Sequence, residues 1–102
     1  MHLVQLLLPL RDNHGERFPQ ALFDEVAGEL TRRFGGLTAY SRAPAAGLWE
    51  ERPGDTRRDD VVVYEVMTES LDAPWWQDYR RGLEGRFAQD ELVVRAQRIQ
   101  RL

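Results

Sequence analysis

The chain begins with an apolar run, Leu3-Val4-Gln5-Leu6-Leu7-Leu8, closed by Pro9 and followed by the polar stretch from Arg11 to Arg17. Leucine serves helices as readily as strands, but the run is short for a helix. Pro9 would also remove an amide donor and clash with the preceding turn, so a strand feeding a loop is predicted. From Pro19 to Phe34 the spacing changes. Phe23, Val26, Ala27, Leu30 and Phe34 recur at helical intervals, with Leu22 broadening the stripe, and predict an amphipathic helix. Asp24, Glu25 and Glu29 early in this helix and Arg32 and Arg33 at its end match the helix dipole and suggest a Glu29 to Arg33 pair. Gly35-Gly36 then supplies a left-handed stop.

Leu37 to Arg42 has enough aromatic and β-branched character for a short strand, and Ala43-Pro44-Ala45-Ala46-Gly47 breaks it. Leu48-Trp49 begins a short partner strand, and the charged run from Arg57 to Asp60 reads as a solvent-facing, mobile loop. Val61-Val62-Val63-Tyr64-Glu65-Val66-Met67 is the clearest strand, because consecutive valines are poor helix formers and pack well on a pleated surface. Its apolar character places it near the centre of a sheet. Asp72 caps a second helix with Pro74 in its first turn, and Trp75, Trp76, Tyr79, Leu83 and Phe87 carry the apolar stripe to about Ala88. Gly82 and Gly85 weaken this helix unless they allow close packing. Leu92 to Ile99 completes the pattern as a final strand.

With the Leu48-Trp49 piece merged into the second hairpin, the order becomes β-α-β-β-α-β. This is an α+β, ferredoxin-like arrangement in one domain spanning residues 1–102, with both helices on one face of an antiparallel sheet. The alternation then poses a problem. Leu3 and Leu7 flank Gln5 on one face of the first strand, and Val61, Val63 and Met67 surround Glu65 on one face of the central strand, yet the opposite faces are apolar too. Two helices shield one side only. A homodimer joined sheet to sheet through the Gln5 and Glu65 face is the expected solution, since specific interfaces commonly bury roughly 1,600 Å² in total.

Composition narrows the partners. Seventeen acidic against 14 basic residues give a formal net charge of −3, which disfavours nucleic acid and acidic membranes as general partners. Between Arg80 and Arg101, six arginines against three acids make a local basic stretch, but no nucleic-acid motif accompanies it. The absence of cysteine excludes disulfides, thiolate catalysis and cysteine-ligated metal. The two histidines have no metal-ligand spacing, so no metal or cofactor is expected. Hydrolase, Walker and dinucleotide signatures are also missing. Met1 to Leu10 carries no basic leader and is interrupted by Arg11, Asp12 and Asn13, so neither a secretion signal nor a membrane span is expected and cytoplasmic residence is the default.

The candidate chemistry is sparse. Arg11-Asp12-Asn13-His14 groups a cation, a carboxylate and an imidazole in one loop, which suits holding an anion or moving a proton; a hydrated turn explains the same residues. His2 lies at a chain terminus, where mobility is the rule. Glu65 interrupts an apolar strand, and burial there would make it a proton acceptor. Its rival role is a hydrogen-bonded carboxylate at the dimer seam, paired with Arg95 or Arg98. Trp49, Trp75, Trp76, Tyr40, Tyr64 and Tyr79 supply either a ligand pocket or core packing. Trp75 and Trp76, adjacent on a helix, point about 100° apart, so one faces the sheet and the other a cleft or contact.

Phe34-Gly35-Gly36-Leu37-Thr38-Ala39-Tyr40, Gly47-Leu48-Trp49 and Val61 to Met67 resemble a family of small bacterial proteins of uncharacterised activity, over Leu3 to Ile99. More distantly, the pattern is similar to the dimeric α/β-barrel superfamily, whose members dimerise sheet to sheet and include oxygenases and other enzymes that modify small molecules. The preferred reading is a homodimeric protein that binds a small organic ligand, with Arg11, Trp49 and Tyr64 as ligand contacts. The alternatives are a cofactor-free monooxygenase or isomerase, with Glu65 and His14 as catalytic residues moving a proton, and a structural or regulatory assembly component.

Overall fold

The computed structural model describes the backbone of residues 1–42, 49–52, 55–57 and 61–102, and the side chains of residues 1–39 and 61–102. β1 (His2–Pro9) is followed by α1 (Gln20–Phe34) and β2 (Thr38–Arg42). Then come β3 (Trp49–Arg52), β4 (Asp55–Arg57), β5 (Val61–Thr68), α2 (Ala73–Arg86) and β6 (Val93–Arg98). Four strands form an antiparallel sheet in the order β2-β5-β1-β6, which is the ferredoxin-like arrangement with β1 and β5 inside. Within this sheet β2 and β6 are edges and the layer stays open. It does not close into a barrel, which overturns the expected likeness to the dimeric α/β-barrel superfamily.

The pairing register determines what shares a face. Gln5 lies opposite Glu65 on one side and Arg95 on the other, and Leu7 lies between Val63 and Val93. The neighbouring residues Val4, Leu6 and Leu8 therefore point the other way, together with Tyr64 and Val66, and are buried beneath the helices. Phe23, Val26 and Leu30 of α1 meet Trp76 and Leu83 of α2, Phe87 and Leu92 in the same core. Sequence periodicity thus becomes a single packed layer between the sheet and two helices.

α1 stops where expected. Gly35 adopts φ 81°, a left-handed conformation that suits glycine, and its amide donates to the Thr31 carbonyl at 2.8 Å. The charge pattern of α1 works differently from the expected one. No acidic residue falls in its first turn, so Asp24 and Glu25 come too late to complement the N-terminal dipole. Glu29 does not pair along the helix with Arg33; it reaches across to α2, accepting from both Arg86 Nη atoms and from the Tyr79 hydroxyl. Arg33 instead lies 4.2 Å from the centre of the Trp75 ring, while Trp75 stacks on Tyr79. Trp76 is the tryptophan that enters the core, stacked on Phe34.

α2 begins as the sequence indicates, with the Asp72 carboxylate accepting from the Trp75 amide at 3.2 Å and a proline in the first turn. Its glycines have no packing purpose: a Cβ at Gly82 or Gly85 would meet nothing within 4 Å. The second hairpin differs as well. Trp49 begins β3, but β3 pairs with β4 as a separate two-stranded sheet, and β2 pairs directly with β5. The Leu48 end of the expected strand and residues 58–60 of the expected loop lie outside the described residues. Among the described residues no helix is long and apolar enough to cross a membrane.

Two consequences are measurable. Gly82→Ala removes unfolded-state entropy without a steric penalty and should stabilise the protein by about 0.5–1 kcal/mol in urea denaturation; destabilisation would reveal a close contact. Hydrogen bonding from Arg86, with smaller help from Tyr79, holds the Glu29 carboxyl below its ordinary 4.5 despite the opposing effect of burial. A depressed folded-state pKa contributes stability that is present above the unfolded value and lost as pH falls through the folded one. Wild type should therefore lose more stability than Glu29→Gln on acidification below about pH 4.5, and equal pH slopes would contradict the ion-pair assignment.

Candidate functional site

The side of the sheet away from the helices carries a polar row set in apolar surroundings. Gln5 Nε2 donates to Glu65 Oε2 at 2.6 Å, and Arg95 Nε donates to Gln5 Oε1 at 2.9 Å. The amide thereby links the guanidinium on edge strand β6 to the carboxylate on interior strand β5, and Thr38 of β2 continues the same register position beyond Glu65. Leu3, Leu7 and Val61 on this face are half-buried, whereas Met67 and Val93 are 53% and 48% exposed. The amide orientation follows from its neighbours, since a carboxylate can only accept and a guanidinium can only donate.

Glu65 is half-buried and Arg95 exposed, so the row joins opposite charges at the boundary between apolar surface and solvent. A carboxylate in this position can attract a cationic group or accept a proton, and its orientation is set by Gln5. Arg95 was anticipated as a partner for Glu65 across a subunit seam. In the chain itself it reaches Glu65 indirectly, through Gln5.

The other sequence candidates fall elsewhere. Tyr64 is buried on the helix-facing side, and its hydroxyl donates to the Phe23 carbonyl at 3.2 Å. Burial, reinforced by the negative charge of Asp24, pushes its pKa above the ordinary tyrosine value. Tyr64 and Glu65 consequently look out from opposite faces and cannot line one pocket. Arg11 and His14 lie in a loop folded on itself. Asp12 Oδ1 accepts from the amides of His14 at 2.8 Å and Glu16 at 2.9 Å, and Arg11 Nη1 donates to the Gly15 carbonyl at 3.2 Å. Asn13 contacts the Ala88 carbonyl just beyond α2. Since Pro9 is already four residues past Gln5, the loop begins more than roughly 13 Å along the strand from the polar row. The Trp49 side chain lies outside the described residues.

Two further features differ from the sequence reading. A cleft of about 160 Å³ lies between the start of α2 and β6, with Val4, Trp76, Val94 and Ala96 among its apolar lining and Gln77, Arg80 and Arg95 among its polar lining. Its volume is below the roughly 300–1,000 Å³ of pockets that enclose a whole ligand, so it can hold only a fragment. The i, i+4 spacing of Trp76 and Arg80 was the available signal. His2, expected at a mobile terminus, starts β1 opposite Thr68; His2 Nδ1 and Thr68 Oγ1 are buried without hydrogen-bond partners among the described residues. Among those residues, no group of three or more His, Cys, Asp or Glu side chains is placed to hold a metal ion.

No family model matches the sequence, and no curated protein matches it, so the anticipated resemblance to a family of small bacterial proteins is not upheld. Solved structures do match the fold. A phage SAM lyase in complex with S-methyl-5'-thioadenosine is 16% identical and superposes with a TM-score of 0.59, covering 94% of this chain and 79% of that one. A phage SAM lyase in the apo state is 14% identical, with a TM-score of 0.53 and coverage of 94% and 78%. The likeness corrects the barrel analogy and establishes a common architecture.

Replacing Gln5 by Leu removes the amide that joins Arg95 to Glu65 while preserving the apolar strand. The half-exposed setting predicts a loss of about 1–2 kcal/mol in urea denaturation with an unchanged far-UV spectrum. An unchanged midpoint would mean that the row is not formed in solution.

Proposed function

We propose that this chain is a small-molecule enzyme of the lyase type, acting on a sulfonium compound such as S-adenosylmethionine, with Glu65 as the carboxylate at the reacting centre. The observation that carries the reading is the placement of Glu65: one half-buried acid, oriented by Gln5 and set in a strand between Val63 and Met67, on the side away from the helices in a fold similar to that of phage SAM lyases. The match to a structure in complex with S-methyl-5'-thioadenosine suggests the ligand class.

The chemistry suits such a surface. When the bond from a sulfonium sulfur to an alkyl carbon breaks, its electron pair moves to sulfur and leaves a neutral thioether. In elimination, a base takes a proton from the adjacent carbon, and the electrons of that C–H bond form the new double bond. Glu65 accepts that proton. Positive charge on sulfur disappears as the reaction proceeds, so apolar walls formed by Leu3, Leu7 and Met67 oppose the charged ground state more than the charge-dispersed transition state. A nearby carboxylate attracts the cation to the site, and Arg95 can pair with an anionic end of the substrate. Binding without turnover uses the same charges but gives Glu65 no proton to accept.

The test is incubation of purified protein with S-adenosylmethionine, with mass-spectrometric detection of S-methyl-5'-thioadenosine above the uncatalysed background. Glu65→Gln should reduce kcat by about 10²- to 10⁴-fold, the usual range for loss of a general base, while retaining the fold. Absence of enzyme-dependent product, or full activity in Glu65→Gln, would reject the assignment.

A further inference from the structure

We infer that the edge of β6 takes up an extended acidic peptide of a partner protein as an added antiparallel strand, with one apolar side chain of the peptide lodged in the cleft beside Trp76. The inference is independent of the enzymatic reading, since it uses neither Glu65 nor the face away from the helices. β6 ends the sheet on its side, and Arg95, Ala96, Gln97 and Arg98 are exposed in succession, so this edge is open. The strand pairs with β1 in one unbroken register and contains no proline, so a straight run of backbone groups faces outward.

The hydrogen-bond pattern identifies those groups. The Ile99 amide donates to the Met1 carbonyl at 3.1 Å, which continues the register of β1 and β6 by one pair and marks it as a pair that exchanges hydrogen bonds. Such pairs alternate with pairs that exchange none. Gln97, Arg95 and Val93 therefore turn their backbone groups to β1, whereas Arg98, Ala96 and Val94 turn theirs outward. Val94 and Ala96 also line the cleft of about 160 Å³ at the start of α2. A peptide residue bonded to Ala96 shares its face, and its side chain points toward that cleft. An apolar cavity of about 150 Å³ holds a benzene ring, so a side chain the size of leucine or phenylalanine fits. Glu84 pairs with Arg80 at the cleft and accepts from the Leu92 amide just before β6, which fixes α2 against the strand.

Charge selects the occupant. From Val93 to Leu102 the chain carries Arg95, Arg98 and Arg101 and no acid, within a protein of net charge −3. A second copy brings the same arginines to the edge, which opposes self-pairing, while an acidic strand is attracted. Asp90 and Glu91 precede the other end of β6, so the acids of the peptide belong opposite Arg98 and its apolar residue opposite Ala96. Backbone hydrogen bonds then supply affinity, and the cleft and the arginines supply specificity.

The probe is the amidated, fluorescein-labelled peptide Glu-Thr-Glu-Thr-Leu-Thr-Val, which sets its second Glu opposite Arg98 and its Leu opposite Ala96. Fluorescence polarisation should show saturable binding to wild type. N-methylation of the Leu amide, or a scrambled order of the same residues, should weaken binding about tenfold or more. A96P removes one outward amide and leaves the hydrogen bonds to β1 in place, so it should weaken binding about tenfold with an unchanged far-UV spectrum. R98E, at an exposed side chain, should weaken binding by a similar factor even if A96P does not fold, and a probe with Lys in place of the second Glu should restore it. Absence of saturable binding, equal binding of the N-methylated or scrambled probe, or unchanged affinity in R98E would overturn the inference. A wild-type dimer that A96P dissociates would also overturn it, because a second copy would then hold the edge.

Discussion

The pairing of β1 with β5 is the constraint on which the rest of the structure depends. Each strand is apolar on both faces, and a strand has no means of hiding both of them by itself. Because side chains alternate with a period of two, the register that sends Val4, Leu6, Leu8, Tyr64 and Val66 into the helix-covered core also turns Leu3, Gln5, Leu7, Val63 and Glu65 to the other side. A slip of either strand by one residue would turn its own polar residue, Gln5 or Glu65, under the helices, where an unpaired polar or charged group is costly. Core packing and the location of the polar row are consequently two results of one choice of register.

The two faces solve the polar problem differently. Beneath the helices, the Tyr64 hydroxyl is satisfied by a backbone carbonyl, and its burial favours the neutral phenol. Between the helices, Arg86, Glu29 and Tyr79 form a connected group in which hydrogen bonding from Arg86 lowers the pKa of the acid. On the face away from the helices, Gln5 stands between Glu65 and Arg95 and satisfies each through a different atom. That amide links the two opposite charges without bringing them into direct contact.

Much of the fold was legible because hydrophobic periodicity and capping agree. Val61 to Met67 could hardly be anything but a strand, Asp72 and Pro74 marked the entry to α2, and Gly35 marked the exit from α1. The face holding Gln5 and Glu65 was also readable, since alternation assigns it before any contact is known. What the sequence could not convey was long-range choice. Glu29 had a plausible partner four residues away but took Arg86, 57 positions later, and the segment after β2 formed its own hairpin. Nor could it convey that Tyr64 and Glu65, adjacent on one strand, face opposite ways, or that the loop holding Arg11 and His14 folds on its own hydrogen bonds.

The central claim is that the Gln5, Glu65 and Arg95 face is where this chain meets its ligand. The most direct measurement is nuclear magnetic resonance of the labelled protein titrated with S-methyl-5'-thioadenosine, following the Gln5 side-chain amide and the Arg95 Nε–H. Saturable shifts centred on these groups and on the methyls of Leu3, Leu7 and Met67 are predicted. Saturable shifts confined to the Arg11 to Gly15 loop or to Trp76, Gln77 and Arg80, with Gln5 and Arg95 unmoved, would contradict the account.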